Sequence, residues 1–179
     1  MKDVRTIHDK QFQSYISAAE IQSVVERLAQ DLEKDYHGKN VIFLSILNGS
    51  FMFSSDLMKC IESNVEISFV KVSSYQGTST TGRVDELIGL NTDLKNKSVV
   101  ILEDIVDTGI TIDKVLTLLR TQDVESIEIC TLLFKPEAYL GKNKPKYIGL
   151  EIPNKFVVGY GLDYNELGRN LKEIYQLID

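Results

Sequence analysis

Two patterns of apolar residues alternate along this chain of 179 residues. The first is a helical spacing between Ile21 and Leu32, which follows the capping box Ser17–Glu20 and predicts a helix that ends at Gly38. The second is a short continuous apolar run, as in Val41–Leu47, which predicts a buried strand. Because buried strands alternate with helices, the sequence favours an α/β fold with a parallel sheet.

The same two patterns predict the other elements. Helices are predicted over Phe51–Ile61 and Thr111–Arg120, and strands over Val65–Val72, Val84–Leu90, Ser98–Leu102, Ile127–Phe134, Tyr147–Ile152 and Phe156–Gly159. Seven of the ten residues in Ser74–Arg83 are Ser, Thr or Gly, which predicts a mobile loop at the tip of a hairpin. The final stretch stays open, since Leu167, Leu171, Ile174 and Ile178 have helical spacing whereas Ile174–Ile178 also suits a strand.

Composition and charge narrow the possible classes. The length predicts one domain, and the net charge of −6 argues against a nucleic-acid partner. Cys60 and Cys130 lie far apart in apolar surroundings, so we expect buried free thiols in a reducing compartment, the cytoplasm. Met1–Phe12 has no apolar core that would suit a secretory signal, and no run approaches the ~20 apolar residues of a transmembrane helix, so no membrane association is expected.

The stretch Val99–Thr111 carries the candidate chemistry. An apolar strand leads into the adjacent carboxylates of Glu103 and Asp104, and Asp107–Gly109 then precedes a helix. Ligands of α/β proteins bind at the carboxyl ends of strands, and the free amides of a helix N-terminus suit a phosphate. Carboxylates would repel a bare phosphate, but they accept hydrogen bonds from sugar hydroxyls and bind a hard cation such as Mg²⁺. The residues therefore indicate a phosphorylated sugar.

A plainer interpretation of the same stretch is a solvated turn in which Asp107 caps the helix. That interpretation would suffice for an isolated Asp-Thr-Gly tripeptide, but the whole sequence of strand, acidic pair, tripeptide and helix favours a site. The chain contains neither a GxxxxGK[ST] phosphate loop nor a GxGxxG dinucleotide fingerprint.

This stretch resembles the phosphoribosyl diphosphate (PRPP) binding motif of the type I phosphoribosyltransferases, and within them the hypoxanthine-guanine branch. The resemblance covers nearly the whole chain from Ser17 onward. It is supported by four further stretches: Leu47–Ser50, Ser73–Tyr75, Leu133–Lys135 and Lys155–Tyr164.

The resemblance implies the type I phosphoribosyltransferase fold, a parallel sheet flanked by helices with a small hood and a flexible hairpin arm. It implies a single domain over residues 1–179, with a core of about residues 17–150 and a hood from about 1–12 and 151–179. It lets Ile174–Ile178 be a strand of that hood. It also implies a homo-dimer or a homo-tetramer.

The implied function is purine salvage by a pentosyltransferase. Such an enzyme transfers ribose 5-phosphate from PRPP to hypoxanthine or guanine with Mg²⁺, giving IMP or GMP plus pyrophosphate. Asp107 would be the general base that takes the proton from purine N7. The residues implied to hold the 5-phosphate are Asp107, Thr108, Gly109, Ile110 and Thr111, while Glu103 and Asp104 would contact the ribose hydroxyls and Mg²⁺.

On the pyrophosphate side, the resemblance implies a loop at Asn48 and Gly49, which in this family often contains a cis non-proline peptide bond. Many relatives have lysine or arginine where this chain has Asn48, so contact there would come from the backbone. Ser74 and Tyr75 would form a lid that excludes water from the reactive sugar, and Arg169 would reach the pyrophosphate.

On the purine side, Lys135 follows an apolar strand directly. The family uses this lysine to donate to the 6-oxo group, which selects 6-oxopurines over adenine because lysine has only donors. Phe156 would stack on the purine and Val157 would bind it through the backbone. Asp163, placed with the purine-binding residues, would hold a second Mg²⁺, partly through water.

Three alternatives remain open. The first is an enzyme that prefers xanthine or guanine. The second is a non-enzymatic regulator of the same fold that senses PRPP or a nucleotide, although a regulator needs no general base. The third is a phospho-acceptor signalling domain, whose acceptor aspartate lies on a different strand from its acidic pair, whereas here Asp107 follows Glu103 and Asp104 closely.

Overall fold

A six-stranded sheet forms the centre of the computed structural model, which describes residues 3–76 and 83–178, with the backbone alone between residues 73 and 88. The elements along the chain are β1 (Val4–Ile7), β2 (Lys10–Ile16), α1 (Ala18–Tyr36), β3 (Val41–Ile46), α2 (Phe51–Cys60), β4 (Glu66–Gln76), β5 (Arg83–Ile88), β6 (Ser98–Val106), α3 (Ile110–Leu119), β7 (Ser126–Phe134), β8 (Tyr147–Glu151), β9 (Val157–Val158) and β10 (Ile174–Leu177).

The central sheet has the strand order β5-β4-β3-β6-β7-β8. The five strands from β4 to β8 along this order run parallel, and β5 pairs antiparallel with β4. Helices α1 and α2 cover one face of the sheet, and α3 covers the other. All six residues of β3 are buried for this reason, and the predicted parallel α/β fold is confirmed.

The predicted first helix is confirmed at both ends. The Ser17 hydroxyl accepts a hydrogen bond from the Glu20 amide at 3.2 Å, which satisfies one of the unpaired amides of the first turn. The helix ends at Tyr36, and Gly38 follows with a φ of +73°, a conformation that glycine adopts at little cost.

Strand β6 corrects the sequence prediction at the candidate site. It continues past the predicted end at Leu102 to Val106, so Glu103 and Asp104 belong to a strand rather than to a turn. The strand continues because its parallel pairing with β7 is maintained through Val106 and Phe134.

The predicted antiparallel pair of strands is confirmed, and both strands extend into the segment 74–83 that was expected to be a loop. Ser74–Gln76 belong to β4 and Arg83 begins β5, because antiparallel pairing continues to the pair of Gln76 and Arg83. The rest of the predicted mobile loop, residues 77–82, lies outside the described residues. Strand β9 is also shorter than predicted, since Gly159 and Tyr160 turn the chain with positive φ.

A second sheet joins the two ends of the chain in the order β1-β2-β10-β9. We call this sheet, together with residues 159–173 between β9 and β10, the hood. The last stretch, which the sequence left open between a helix and a strand, forms the strand β10, because it pairs with β2 and β9. Strand β2 extends to Ile16, beyond the segment 1–12 that was expected to contribute.

Among the helices of the described part of the chain, none is both long enough and apolar enough to cross a bilayer.

Candidate active site

A cavity of about 400 Å³ lies where β3 and β6 end and α3 begins. Most of the residues predicted to bind PRPP, pyrophosphate or metal line it. They are Asn48, Gly49, Glu103, Asp104, Ile110, Thr111, Asp163 and Arg169. The structure therefore brings together residues from four separate stretches of the chain.

Glu103 and Asp104 are buried carboxyls at the floor of this cavity, 9% and 7% exposed. Burial raises the pKa of Glu103 well above its ordinary value, and the charge of Asp104 adds to this effect. Burial also raises the pKa of Asp104 to about 6, although backbone amides and Arg169 act in the opposite direction. The buried Oε2 atom of Glu103 has no hydrogen-bond partner among the described residues. A cation or a hydroxyl donor would stabilise both groups.

The loop after β3 lies directly against Asp104. Its peptide bond between Leu47 and Asn48 is cis, as the family resemblance implied. A Cβ atom added to Gly49 would lie 1.9 Å from Asp104 Oδ2, so any side chain at this position would have to displace the Asp104 carboxylate. The Leu47 amide donates to the Val70 carbonyl of β4 at 2.8 Å, which holds the loop to the sheet.

Buried hydroxyls support the base of the same loop. The Ser45 hydroxyl lies 2.7 Å from those of Ser50 and Ser54, and Ser50 donates to the Ile46 carbonyl at 2.5 Å. All three serines are fully buried, so these hydrogen bonds satisfy groups that water cannot reach.

Two predicted residues reach the cavity from the hood. The Arg169 guanidinium contacts an Asp163 carboxylate oxygen at 2.7 Å and donates to the Gly161 carbonyl at 2.9 Å. Asp163 also accepts a hydrogen bond from the Glu166 amide at 2.8 Å. The hood thus contributes a cation and an anion that are already paired with each other.

Asp107 and Lys135 form an ion pair beside the cavity, with Lys135 Nζ 2.7 Å from Asp107 Oδ2. Lys135 is only 5% exposed, whereas the Asp107 side chain is 42% exposed. The parallel register pairs Val106 with Phe134, so the next residue on each strand is brought to the same edge of the sheet.

Asp107 does not cap α3, which corrects the plainer interpretation of this stretch. The N-cap residue is Gly109, with a φ of +85°. A Cβ atom there would lie 2.5 Å from the Tyr139 ring, so the position requires glycine. The Thr108 carbonyl accepts a hydrogen bond from the Leu140 amide at 3.0 Å, which connects the loop after β6 to the loop after β7.

Phe156 and Val157 lie at the edge of the hood. Phe156 is 45% exposed, and its ring meets the Tyr164 ring edge-on at 5.9 Å. The Leu177 amide donates to the Phe156 carbonyl at 2.9 Å, so the next pair, Val157 with Gln176, is a non-hydrogen-bonded pair. Because β9 is the edge strand, the Val157 amide and carbonyl face away from the sheet and can bind another molecule.

The predicted lid residues Ser74 and Tyr75 are placed on β4 by their backbone. Their side chains lie outside the described residues, so their role stays a prediction.

Sequence reasoning missed two lysines that line the cavity, Lys71 and Lys114. Lys71 falls within a predicted strand, where nothing in the pattern distinguishes it. Lys114 could have been found, because it follows Ile110 by one helical turn and so shares its helix face.

The predicted metal ligands Glu103, Asp104 and Asp163 do not form a preassembled site. Among the described residues, the structure contains no group of three or more His, Cys, Asp or Glu side chains that could hold a metal ion.

Comparisons with known proteins agree with this geometry. Residues 15–165 match the family model for the phosphoribosyl transferase domain. The chain is 44% identical over 169 residues to the hypoxanthine-guanine phosphoribosyltransferase of Staphylococcus aureus strain Mu50, covering 94% of each protein.

Solved structures give the same result. A crystal structure of a hypoxanthine phosphoribosyltransferase from Staphylococcus aureus matches with a TM-score of 0.84 and 44% identity, over 92% of this chain and 90% of that one. A hypoxanthine-guanine phosphoribosyltransferase from Bacillus anthracis matches with a TM-score of 0.84 and 30% identity, over 98% of this chain and 100% of that one.

Proposed function

The chain belongs to the phosphoribosyl transferase family, and from this premise we propose that it is a hypoxanthine-guanine phosphoribosyltransferase of purine salvage. It would transfer ribose 5-phosphate from PRPP to hypoxanthine or guanine, giving IMP or GMP plus pyrophosphate. The observation that carries this proposal is the pair of Lys135 and Asp107, a donor and an acceptor 2.7 Å apart beside the cavity.

This pair is complementary to one edge of a 6-oxopurine. A 6-oxopurine protonated at N7 presents an oxygen acceptor and an N–H donor at neighbouring positions. Lys135 would donate to the oxygen, and Asp107 would accept from N7 and take its proton as general base. Adenine has an amino donor at position 6, which would face the donor Lys135. The amino group and the Lys135 ammonium would then both lack an acceptor.

The rest of the purine would lie against the edge of the hood. Phe156 would stack on its face, because the ring is exposed and not part of the core. Val157 would bind it through the amide and the carbonyl that face away from β10.

The 5-phosphate would bind at the start of α3, through the backbone and hydroxyls of Asp107–Thr111. Gly109 offers no side chain to cap this helix, and the Thr108 hydroxyl approaches the Ile110 amide only at 3.5 Å. The first amides of the helix therefore remain available to an anion.

The ribose and the pyrophosphate would fill the remainder of the cavity. Glu103 and Asp104 would accept hydrogen bonds from the ribose hydroxyls. Gly49 and the Asn48 backbone would contact the pyrophosphate together with Arg169. Ser74 and Tyr75 are proposed to close over it as a lid.

We propose Mg²⁺ as the cofactor, held by Glu103 and Asp104, with Asp163 as the ligand of a second ion. Carboxylate oxygens are the ligands that Mg²⁺ prefers, and the buried Oε2 of Glu103, which has no partner in the described part of the chain, fits such a role. The small number of protein ligands also fits, since Mg²⁺ keeps several waters and binds substrate phosphates. When bound, the ion supplies positive charge that stabilises the leaving pyrophosphate.

The remaining expectations are proposals of the same kind. The protein would be one domain with a core and a hood, acting in the cytoplasm as a homo-dimer or homo-tetramer on small molecules, without nucleic-acid or membrane partners. Light scattering after size-exclusion chromatography decides the oligomeric state.

The direct test is to incubate the purified protein with PRPP and Mg²⁺ and to offer hypoxanthine, guanine, xanthine and adenine separately. Nucleotide formed from hypoxanthine or guanine, and abolished by EDTA, supports the proposal. A strong preference for xanthine would favour the enzyme of different base specificity. PRPP binding without product from any purine would overturn the proposal in favour of a regulator.

A further inference from the structure

A buried tyrosine connects the hood to α2. Tyr160 is 5% exposed, and its hydroxyl donates a hydrogen bond to Asp56 Oδ2 on α2 at 2.7 Å. The other carboxylate oxygen of Asp56 pairs with Lys59 Nζ at 2.6 Å. Tyr160 has a φ of 51°, which is uncommon for a residue other than glycine, and it lies between Gly159 at 100° and Gly161 at 101°. The local backbone is therefore a specific turn, and the buried Tyr160 hydroxyl joins it to α2.

The turn at Tyr160 places Gly161 against the loop after β3. A Cβ atom added to Gly161 would lie 1.9 Å from the Gly49 carbonyl oxygen. Gly49 in turn leaves no room for a Cβ atom beside Asp104. The hood backbone, the cis-peptide loop and a cavity carboxylate are thus in successive close contact. A small movement of Gly161 would be transmitted to this part of the cavity.

Gly161 also places the arginine of the cavity. Its amide donates to the Arg169 carbonyl at 3.0 Å, and its carbonyl accepts from the Arg169 guanidinium at 2.9 Å. The same guanidinium contacts Asp163 at 2.7 Å. The Gly159–Gly161 turn is therefore bonded directly to Arg169 and, through its guanidinium, connected to Asp163.

We propose that the hydrogen bond between Tyr160 and Asp56 is a positioning tether for the PRPP side of the site. It anchors the Gly159–Gly161 turn to α2, and α2 follows directly from the Asn48–Gly49 loop, so both walls of the pyrophosphate region share one support. Neither Tyr160 nor Asp56 lines the cavity, so they act through Gly161 and Arg169. The role of the tether in catalysis rests on the proposed transferase function.

The test is Tyr160→Phe, which keeps the ring and removes only the hydroxyl. We expect the KM for PRPP to rise about tenfold, since small displacements of positioning groups are costly, with the KM for hypoxanthine unchanged. The purine groups Lys135 and Asp107 are held by β7 and β6. Phe156 and Val157 precede the turn and are held by the pairing of β9 with β10.

The chain offers a matched control in Tyr147→Phe. The Tyr147 hydroxyl donates to Asp35 at 2.6 Å, Lys146 pairs with the same carboxylate, and Tyr147 is 6% exposed. Each substitution removes one tyrosine hydroxyl that donates to an aspartate, but Tyr147 lies between β8 and α1, away from the cavity. We expect it to leave both KM values unchanged. Equal effects of the two substitutions on the KM for PRPP would overturn the tether.

A second readout does not depend on catalysis. Hydrogen exchange of residues 159–171 follows protected amides such as those of Tyr160 and Gly161. We expect Tyr160→Phe to speed their exchange while that of β6 and β7 is unchanged. If the wild-type protein transfers no ribose 5-phosphate, the proposed function fails. The change in hydrogen exchange would still show whether the tether exists. Unchanged exchange would overturn it even in an active enzyme.

The partner residue provides a check by rescue. Asp56→Ala should reproduce the effect of Tyr160→Phe, whereas Asp56→Asn keeps an oxygen acceptor and should restore most of the affinity for PRPP. The double variant Tyr160→Phe with Asp56→Ala should be no worse than either single variant. Additive losses would show that the two residues act independently and would contradict the tether.

Discussion

Replacing Asp104 by asparagine should make the metal-free protein more stable at neutral pH while removing its activity. Burial raises the pKa of this carboxyl from the ordinary 3.8 to about 6. At 1.36 kcal/mol for each pKa unit, ionised Asp104 costs the folded protein about 3 kcal/mol. The amide in Asp104→Asn has a similar shape and no charge, so it avoids that cost. Asp104→Asn also removes the charge that helps to raise the pKa of Glu103, and this adds to the stability of the variant.

The sign of the pH dependence follows from the two pKa values. Below pH 3.8 the carboxyl is protonated in both folded and unfolded chains, so the substitution gains nothing from charge. Between 3.8 and about 6 the folded state keeps a proton that the unfolded state releases, and the wild type loses stability as pH rises. The advantage of Asp104→Asn should be roughly 1 to 2 kcal/mol at pH 5 and about 3 kcal/mol at pH 8.

Urea denaturation in EDTA at pH 5 and pH 8 measures this advantage for both proteins. Asp31→Asn is the control, because that carboxylate is 53% exposed on α1 and its substitution should change the free energy of unfolding little. A lower stability of Asp104→Asn than of the wild type at pH 8, or an advantage that does not grow between the two pH values, would contradict the stated cost of the buried charge. Retained transfer activity in Asp104→Asn would refute its proposed role with ribose and Mg²⁺.

Asp107→Asn should lower kcat by about 100-fold to 10,000-fold with little change in PRPP affinity, because it removes the proposed proton acceptor. Steady-state kinetics at saturating PRPP measure this, and an unchanged kcat would exclude Asp107 as the base. Lys135→Gln should reduce the preference for hypoxanthine over adenine by about 100-fold, measured as the ratio of kcat/KM values, and an unchanged ratio would remove its role in specificity. Lys71 lines the cavity, so Lys71→Met should raise the KM for PRPP at low salt and weaken the salt dependence of that KM. The substitution of an exposed lysine, Lys95→Met, should change neither quantity. Equal effects of the two substitutions would show that Lys71 supplies only general surface charge.

Hydrophobic patterning predicted the sheet and its helices because most elements bury regular apolar faces. It failed where the site interrupts that pattern. Strand β6 was predicted to end at Leu102, since Glu103 and Asp104 are charged, yet the strand continues through both. Burying charged residues in a strand costs free energy, and proteins retain such residues mainly where a function requires them. The continuation of β6 through Glu103 and Asp104 therefore itself marks the site.

Long-range pairing explains the other differences. Helical spacing could not decide the last stretch, because β10 is a strand only through its pairing with β2 at the other end of the chain. The contact between Asp107 and Lys135 joins residues 28 positions apart and follows from strand register. The cis bond before Asn48 came from the family resemblance, and nothing in the residue pattern itself indicates it.

The most direct test of the account is a competition between hypoxanthine and adenine at equal concentrations, with PRPP, Mg²⁺ and the wild-type protein, and with products identified by mass spectrometry. We expect IMP and pyrophosphate in equal amounts, with almost no AMP, because the roles proposed for Lys135 and Asp107 suit only a 6-oxopurine. Comparable amounts of IMP and AMP would contradict the specificity assigned to this pair. The absence of both nucleotides would contradict the transferase function.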